Sequence, residues 1–146
     1  MSFHGVLQGC NAVCYLKDNK LYGMTCAWVS MVDYDVISLL LGGQSDTGNN
    51  IKVGDVIGVS ALAKSQKDIA IKLGSEHSKL VNKFVDIDYI TEGSAIMINH
   101  ARTQMVCVVK EILHLNDNIE DNFFVCQILS HKENKKLEFL SLEDIY

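Results

Sequence analysis

Apolar residues recur at a helical spacing in one stretch of this chain. Between Lys64 and Gly74, Ile69 and Leu73 stand four apart with Ala70 beside them, while Lys64, Gln66, Lys67, Asp68 and Lys72 are free to face water. This pattern predicts a single amphipathic helix, closed by Gly74 as its C-terminal cap. Elsewhere apolar residues come in short runs or alternate with polar ones, which is the period of strands. Proline is absent from all 146 residues, so turns fall to Gly, Asn and Asp, which cluster where the apolar runs stop.

The strands follow from these runs. Asn11 to Lys17 (NAVCYLK) is turned by Asp18-Asn19, and Leu21 onward returns as its hairpin partner. Met24 to Met31 and Asp35 to Leu41 are separated by a polar joint, Val32-Asp33-Tyr34. In the second of these, Ile37, Leu39 and Leu41 point one way and Val36, Ser38 and Leu40 the other, as in a strand buried on most of both faces. Gly42 to Asn50 reads as a loop, and Asp55 to Leu62 as a strand. After the helix come strands at Ala95 to Asn99, Thr103 to Leu115, Phe123 to Leu129 and Leu137 to Leu140, with a polar turn at Asn116 to Asn122. Along the long strand, Cys107, Val109, Leu113 and Leu115 share one face. Seven or eight strands with one main helix point to a mainly β fold, a closed antiparallel barrel carrying a helical insertion.

Composition bounds the function. With 48% hydrophobic and 21% charged residues the chain is no disordered segment, and its length suits one domain spanning 1–146. The 13 basic residues against 18 acidic ones leave −5, so the dense basic stripe that a nucleic acid requires is missing. No apolar run approaches the roughly 20 residues of a membrane span, and Met1 to Gly5 shows no basic stretch before an apolar core. A soluble, cytoplasmic protein is expected, with no membrane partner. Cys10, Cys14, Cys26, Cys107 and Cys126 lie mostly in apolar stretches and read as reduced, buried thiols. Neither they nor the five scattered histidines have the spacing of a metal site.

Standard catalytic motifs are missing too. Gly42 to Gly48 is Gly-rich, but no Lys precedes its Ser or Thr and no P-loop helix follows directly. What remains is a set of small polar residues at strand ends: Gly23 to Trp28, Ser45 and Thr47, Ser60, and Lys83-Phe84 after the helix. Hydroxyls, backbone amides and a lysine from several loops can hold a phosphate and a sugar-like chain, and small residues let a flat ring lie against backbone.

Tyr22-Gly23-Met24-Thr25-Cys26-Ala27-Trp28 resembles the Asn-Gly-Met-Thr-x-Ser/Ala-aromatic motif of the flavin reductase-like family, the FMN-binding split barrels. Further matches follow in order. Leu39-Leu40-Leu41 runs into a Ser/Thr loop ending at Thr47. Val59-Ser60-Ala61-Leu62 with Gln66 resembles the family's Val-Asn/Ser-x-Leu…Gln segment. Gly74 to Phe84 keeps the length of its Gly-x-x-Ser-Gly-Arg-Asp-x-Asp-Lys-Phe stretch, and Cys107 sits where the family often has Cys. The departures are Asp35-Val36 in place of Pro-Pro, and His77-Ser78-Lys79-Leu80 in place of Ser-Gly-Arg-Asp.

The resemblance implies a split barrel binding FMN at a homodimer interface. It implies that Met24, Thr25, Cys26, Ala27 and Trp28 line the ring and ribityl chain, and that Ser45, Thr47 and Lys83 hold the phosphate. Ser60 and Ala61 would pass near the ring or ribityl, with His77, Ser78 and Phe84 as further contacts. The implied activity is NAD(P)H:flavin oxidoreduction, in which hydride passes to the flavin and no side chain is catalytic; the acceptor is free flavin or a redox protein. Two alternatives share the fold: a flavoredoxin-like electron carrier reduced by a partner protein, and a barrel without flavin that serves as an interaction module.

Overall fold

The computed structural model describes residues 3–42, 45–75, 83–114 and 121–145. Strands β1 (Asn11–Lys17) and β2 (Lys20–Cys26) form the expected hairpin, in register from Asn11↔Cys26 to Lys17↔Lys20. Its two turn residues, Asp18 and Asn19, both take positive φ, 52° and 62°. That is the mirror-image turn whose twist matches a hairpin, and Asp and Asn tolerate it. Next come β3 (Val29–Asp33), β4 (Val36–Leu41), a short helix α1 (Asp46–Asn49) and β5 (Val56–Ala61). A 3-10 turn (Lys64–Gln66) leads into α2 (Lys67–Ser75). Then follow β6 (Tyr89–Glu92), β7 (Ala95–Ile98), β8 (Thr103–Leu113), β9 (Asn122–Glu133) and a final 3-10 turn (Leu142–Asp144).

All nine strands among the described residues belong to one antiparallel sheet, ordered β3-β4-β9-β8-β5-β1-β7-β6, with β2 on the other edge of β1. The ladder does not close, which corrects the expected closed barrel. Its two ends on the barrel path are β2 and β3, consecutive in the chain and separated by Ala27 and Trp28. The run expected as one strand, Met24 to Met31, is therefore broken. Its first part pairs with β1 and its second with β4. The chain itself, not a row of hydrogen bonds, spans the split.

β1 is buried on both faces. Val13 and Tyr15 join Ile37, Leu39, Leu41, Ile57, Val59, Cys107, Val109 and Phe124 inside the barrel. Ala12 and Cys14 face the other way, into a second cluster with Leu62, Ala70, Leu73, Phe84, Ile96 and Ile98 beneath α2. A one-residue slip of β4 would turn Ile37, Leu39 and Leu41 outward, costing about 1.5–3 kcal/mol each, so the register is strongly set. β5 gives way to β7 along β1 at Gly58, where a Cβ would lie 1.9 Å from the Ile96 carbonyl oxygen. Glycine is required there because another backbone crosses on top of it.

Several expectations need correction. Gly74 lies inside α2, which continues to Ser75. Gln66 is buried rather than solvated, its Oε1 accepting from the Ala63 N–H at 2.9 Å and its amide donating to the Asn99 carbonyl at 2.8 Å. In β8 the register shifts between Val109 and Glu111, reversing the alternation. Ile112 then packs on the core and Leu113 is exposed, so Leu113 does not share the face of Cys107 and Val109. Leu115 and most of the expected turn from Asn116 fall outside the described residues. Leu137 to Leu140 forms no strand; isolated bridges join Phe139 to Ala63 and Ser141 to Gly9. Among the described residues no helix is long and apolar enough to cross a membrane.

Candidate functional site

The split in the ladder makes a cleft. Met24, Thr25, Cys26, Ala27 and Trp28 line it together with Leu40, Gly42, Leu142 and the N-terminal residues Phe3 to Val6 and Gln8, around a volume of about 500 Å³. Small-molecule and cofactor sites commonly span about 300–1,000 Å³. The strand end that borders the cleft is pinned from both sides. Asn11 Nδ2 donates to the Cys26 carbonyl at 3.0 Å, and the Leu40 N–H donates to the Trp28 carbonyl at 3.0 Å. Cys26 Sγ donates to the Leu40 carbonyl at 3.3 Å. Burial pushes the Cys26 thiol up from 9.0 to about 12, partly offset by hydrogen bonding with the Trp28 and Leu40 backbone. It is a neutral structural thiol, not a nucleophile.

β2 alternates across this strip. Tyr22, Met24 and Cys26 pack on the barrel core. On the opposite face, Thr25 Oγ1 donates to the Ala70 carbonyl of α2 at 2.6 Å, so its hydroxyl ties the strand to the helix. A Cβ on Gly23 would come within 2.6 Å of the Phe84 ring. Phe84 stacks edge-on against Tyr89 there, with centroids 5.4 Å apart. Lys83 is buried, its ammonium donating to the Gly23 carbonyl at 3.0 Å and the Leu73 carbonyl at 2.8 Å. A lysine on a last-turn carbonyl is a favourable helix terminus, and Lys83 performs the closing role expected of Gly74.

Beyond Gly42, Ser45 caps α1, its Oγ donating to the Gly42 carbonyl at 2.8 Å and accepting from the Gly48 N–H at 2.9 Å. The Tyr15 hydroxyl donates to the buried Thr47 carbonyl at 2.6 Å. Tyr15 stacks on Tyr22 with centroids 5.0 Å apart, so this loop is fixed to the barrel interior.

Five of the thirteen residues expected at one site therefore line one cleft, Met24 to Trp28, with Ser45 and Thr47 in the loop that follows its Gly42 wall. The others are placed differently. Ser60 is fully buried, its Oγ accepting from the Ile98 N–H at 3.0 Å, a cross-sheet bond rather than a cleft contact. Ala61 lines a separate groove of about 380 Å³ with Val29, Met31, Tyr34 and Phe139. Lys83 and Phe84 support β2 from behind, and His77 and Ser78 lie outside the described residues. The N-terminal wall of the cleft was not foreseen. The signal available for it was three large apolar residues, Phe3, Val6 and Leu7, in a stretch too short to be a strand of its own.

A family model described as the flavin reductase like domain matches residues 9–142. The chain belongs to the flavin reductase-like family. Solved structures share the fold. The NADH:FAD oxidoreductase of Streptomyces globisporus superposes with a TM-score of 0.84 at 16% identity, covering 93% of this chain and 81% of that one. The flavoredoxin of Methanosarcina acetivorans gives 0.78 at 16% identity, covering 92% and 75%. The FMN-binding protein of Thermus thermophilus, with bound 1-cyclohex-2-enone, gives 0.79 at 14%, covering 91% and 74%. No curated protein sequence matches this one. Membership of the flavin reductase-like family supports an oxidoreductase that works with a flavin. The cleft suits such a group: its volume is sufficient, the strand end beside it is held rigidly, and Trp28 exposes 58% of its surface at the rim.

Proposed function

We infer that the cleft at the split holds FMN and that the protein is an NAD(P)H:flavin oxidoreductase. The observation that carries this reading is the cleft itself, lined by five consecutive residues of the family motif, Met24 to Trp28. Bound there, the flavin supplies the two-electron redox chemistry. The chain supplies position. Met24, Cys26 and Ala27 provide a firm wall for a flat ring, and Trp28 shields its edge from water. Gly42 and the Ser45–Thr47 loop stand on the phosphate side, with His77 and Ser78 as further contacts. Lys83 and Phe84 act from beneath, keeping β2 and α2 in place. No side chain need act as nucleophile, and the acceptor is free flavin or a redox protein.

In this reading the protein is a homodimer with the flavin at the subunit interface, which the exposed apolar residues Trp28 at the cleft rim and Met31, Tyr34 and Phe139 beside the Ala61 groove support. Five unpaired, buried cysteines support a reducing, cytoplasmic setting.

The test is an absorption spectrum of protein loaded with FMN, with FAD and riboflavin in parallel, repeated after NADH or NADPH. A protein-bound flavin band that bleaches with either nicotinamide and turns over with added flavin is the expected result. A bound flavin that stays oxidised would make the protein an electron carrier of the flavoredoxin kind. Protein that takes up no flavin would overturn the reading.

A further inference from the structure

The buried part of β1 begins with a carboxamide. Asn11 is 7% exposed and leads Ala12, Val13, Cys14 and Tyr15 into the core. Taking an amide out of water costs free energy unless its polar atoms find partners. The donor end of Asn11 has one: Nδ2 donates to the Cys26 carbonyl at 3.0 Å.

The place of that bond in the sheet gives it a use. Asn11↔Cys26 is the end pair of the β1–β2 ladder, and Asn11↔Ala61 is the end pair of β1 with β5. The next two residues, Ala27 and Trp28, belong to no strand. An end pair has a neighbour on one side only and is where strands fray. The carboxamide adds a side-chain bond to the very pair from which the cleft wall departs. From the other side of the split, β4 holds the same strip through the Leu40 N–H on the Trp28 carbonyl and the Leu40 carbonyl under the Cys26 thiol. Cys26, Ala27 and Trp28 line the cleft. The Asn11 side chain lines the separate Ala61 groove, so it acts on the cleft through the Cys26 carbonyl.

We propose that Asn11 is a positioning residue of the flavin site. By holding the Cys26 carbonyl at the ladder end, it fixes the direction in which Cys26, Ala27 and Trp28 leave the sheet, and with it the seat of the flavin ring. This role rests on the flavin reading above, and the wild-type titration separates the two. FMN affinity is measured for the wild type, Asn11→Ala, Asn11→Asp and a control, Val106→Ala. Asn11→Asp keeps the size of the side chain but replaces the donating amide with a carboxylate, which only accepts. Val106 packs in a different cluster, with Ala95 and Met97. Urea unfolding of each apoprotein gives the fraction folded during titration, and visible circular dichroism of each FMN complex reports the surroundings of the ring.

The FMN dissociation constant should rise about five- to tenfold in both Asn11 variants, the size of one lost hydrogen bond, while the apoproteins remain folded. The visible dichroism of the bound flavin should change with it. Val106→Ala should lower the urea midpoint yet leave the constant within about twofold and the dichroism as in the wild type. In isotope-labelled wild type, the carboxamide signals of Asn11 should shift as FMN saturates the protein. A constant within about twofold of the wild type in Asn11→Asp would overturn the proposal. So would unaltered dichroism in the Asn11 variants, or an equal loss of affinity in Val106→Ala, which would make the effect one of stability alone. Should neither Asn11 variant fold, carboxamide signals that stay in place at saturating FMN would overturn it in the wild type. A wild type that binds no FMN would remove the flavin reading and this role together.

Discussion

Lys83 shows how a residue can belong to a family motif and still have its work decided by burial. Its ammonium is closed off from water and shared between the Gly23 carbonyl of β2 and the Leu73 carbonyl near the end of α2. Removing a charged donor from two buried carbonyls costs more than a surface substitution, so Lys83→Ala should lower stability by about 2–4 kcal/mol in urea unfolding. A direct phosphate contact would instead weaken FMN binding while leaving the unfolding midpoint in place. The two measurements together assign the residue. Thr25 and Ser60 follow the same pattern, since each hydroxyl serves the scaffold, one on α2 and the other across the sheet. None of these commitments is legible in the sequence, because a hydroxyl or ammonium at a strand end reads the same whether it meets a ligand or a carbonyl.

Among the elements, β1 and β4 were readable because burial on both faces leaves long apolar runs, NAVCYLK and VISLLL. β6 was not: Tyr89–Glu92 is mostly exposed and short, so no alternation marks it. The reversal within β8 escaped for a different reason. A register shift adds no distinctive residue, yet it exchanges Ile112 for Leu113 on the core face. The crossing of β7 over β5 yields a sharp prediction. Gly58→Ala would set a methyl against the Ile96 backbone, and backbone cannot swing aside as a side chain can. A loss of about 3 kcal/mol or more, or failure to accumulate folded protein, is expected from chemical denaturation and yield. A variant within about 1 kcal/mol of the wild type would mean that β7 does not pass there.

At the scale of the whole molecule, the thiols of Cys14, Cys26, Cys107 and Cys126 are pushed up from 9.0 to about 12, in each case chiefly by burial. A group whose pKa is raised by folding favours the folded state in its protonated form. That stability is complete below pH 9 and is lost as pH rises toward 12. Urea midpoints should hold steady across neutral pH as far as these thiols are concerned and fall above pH 9. Substituting Ser or Val for the cysteines should flatten that alkaline limb. The mainly β fold with one main helix was legible from strand count and the single helical period, but the opening of the sheet was not. Ala27 and Trp28 look like the middle of one strand, and only the pairing of β2 with β1 and of β3 with β4 shows that the chain changes partners there.

That change of partners is what makes a cleft in an otherwise filled barrel, and the account stands on a flavin lying against it. The most direct measurement is the FMN dissociation constant of Ala27→Phe relative to wild type, taken with matched melting temperatures. A benzyl group at the split should fill the space and raise the constant at least tenfold. An unchanged constant would place the flavin elsewhere and contradict the account.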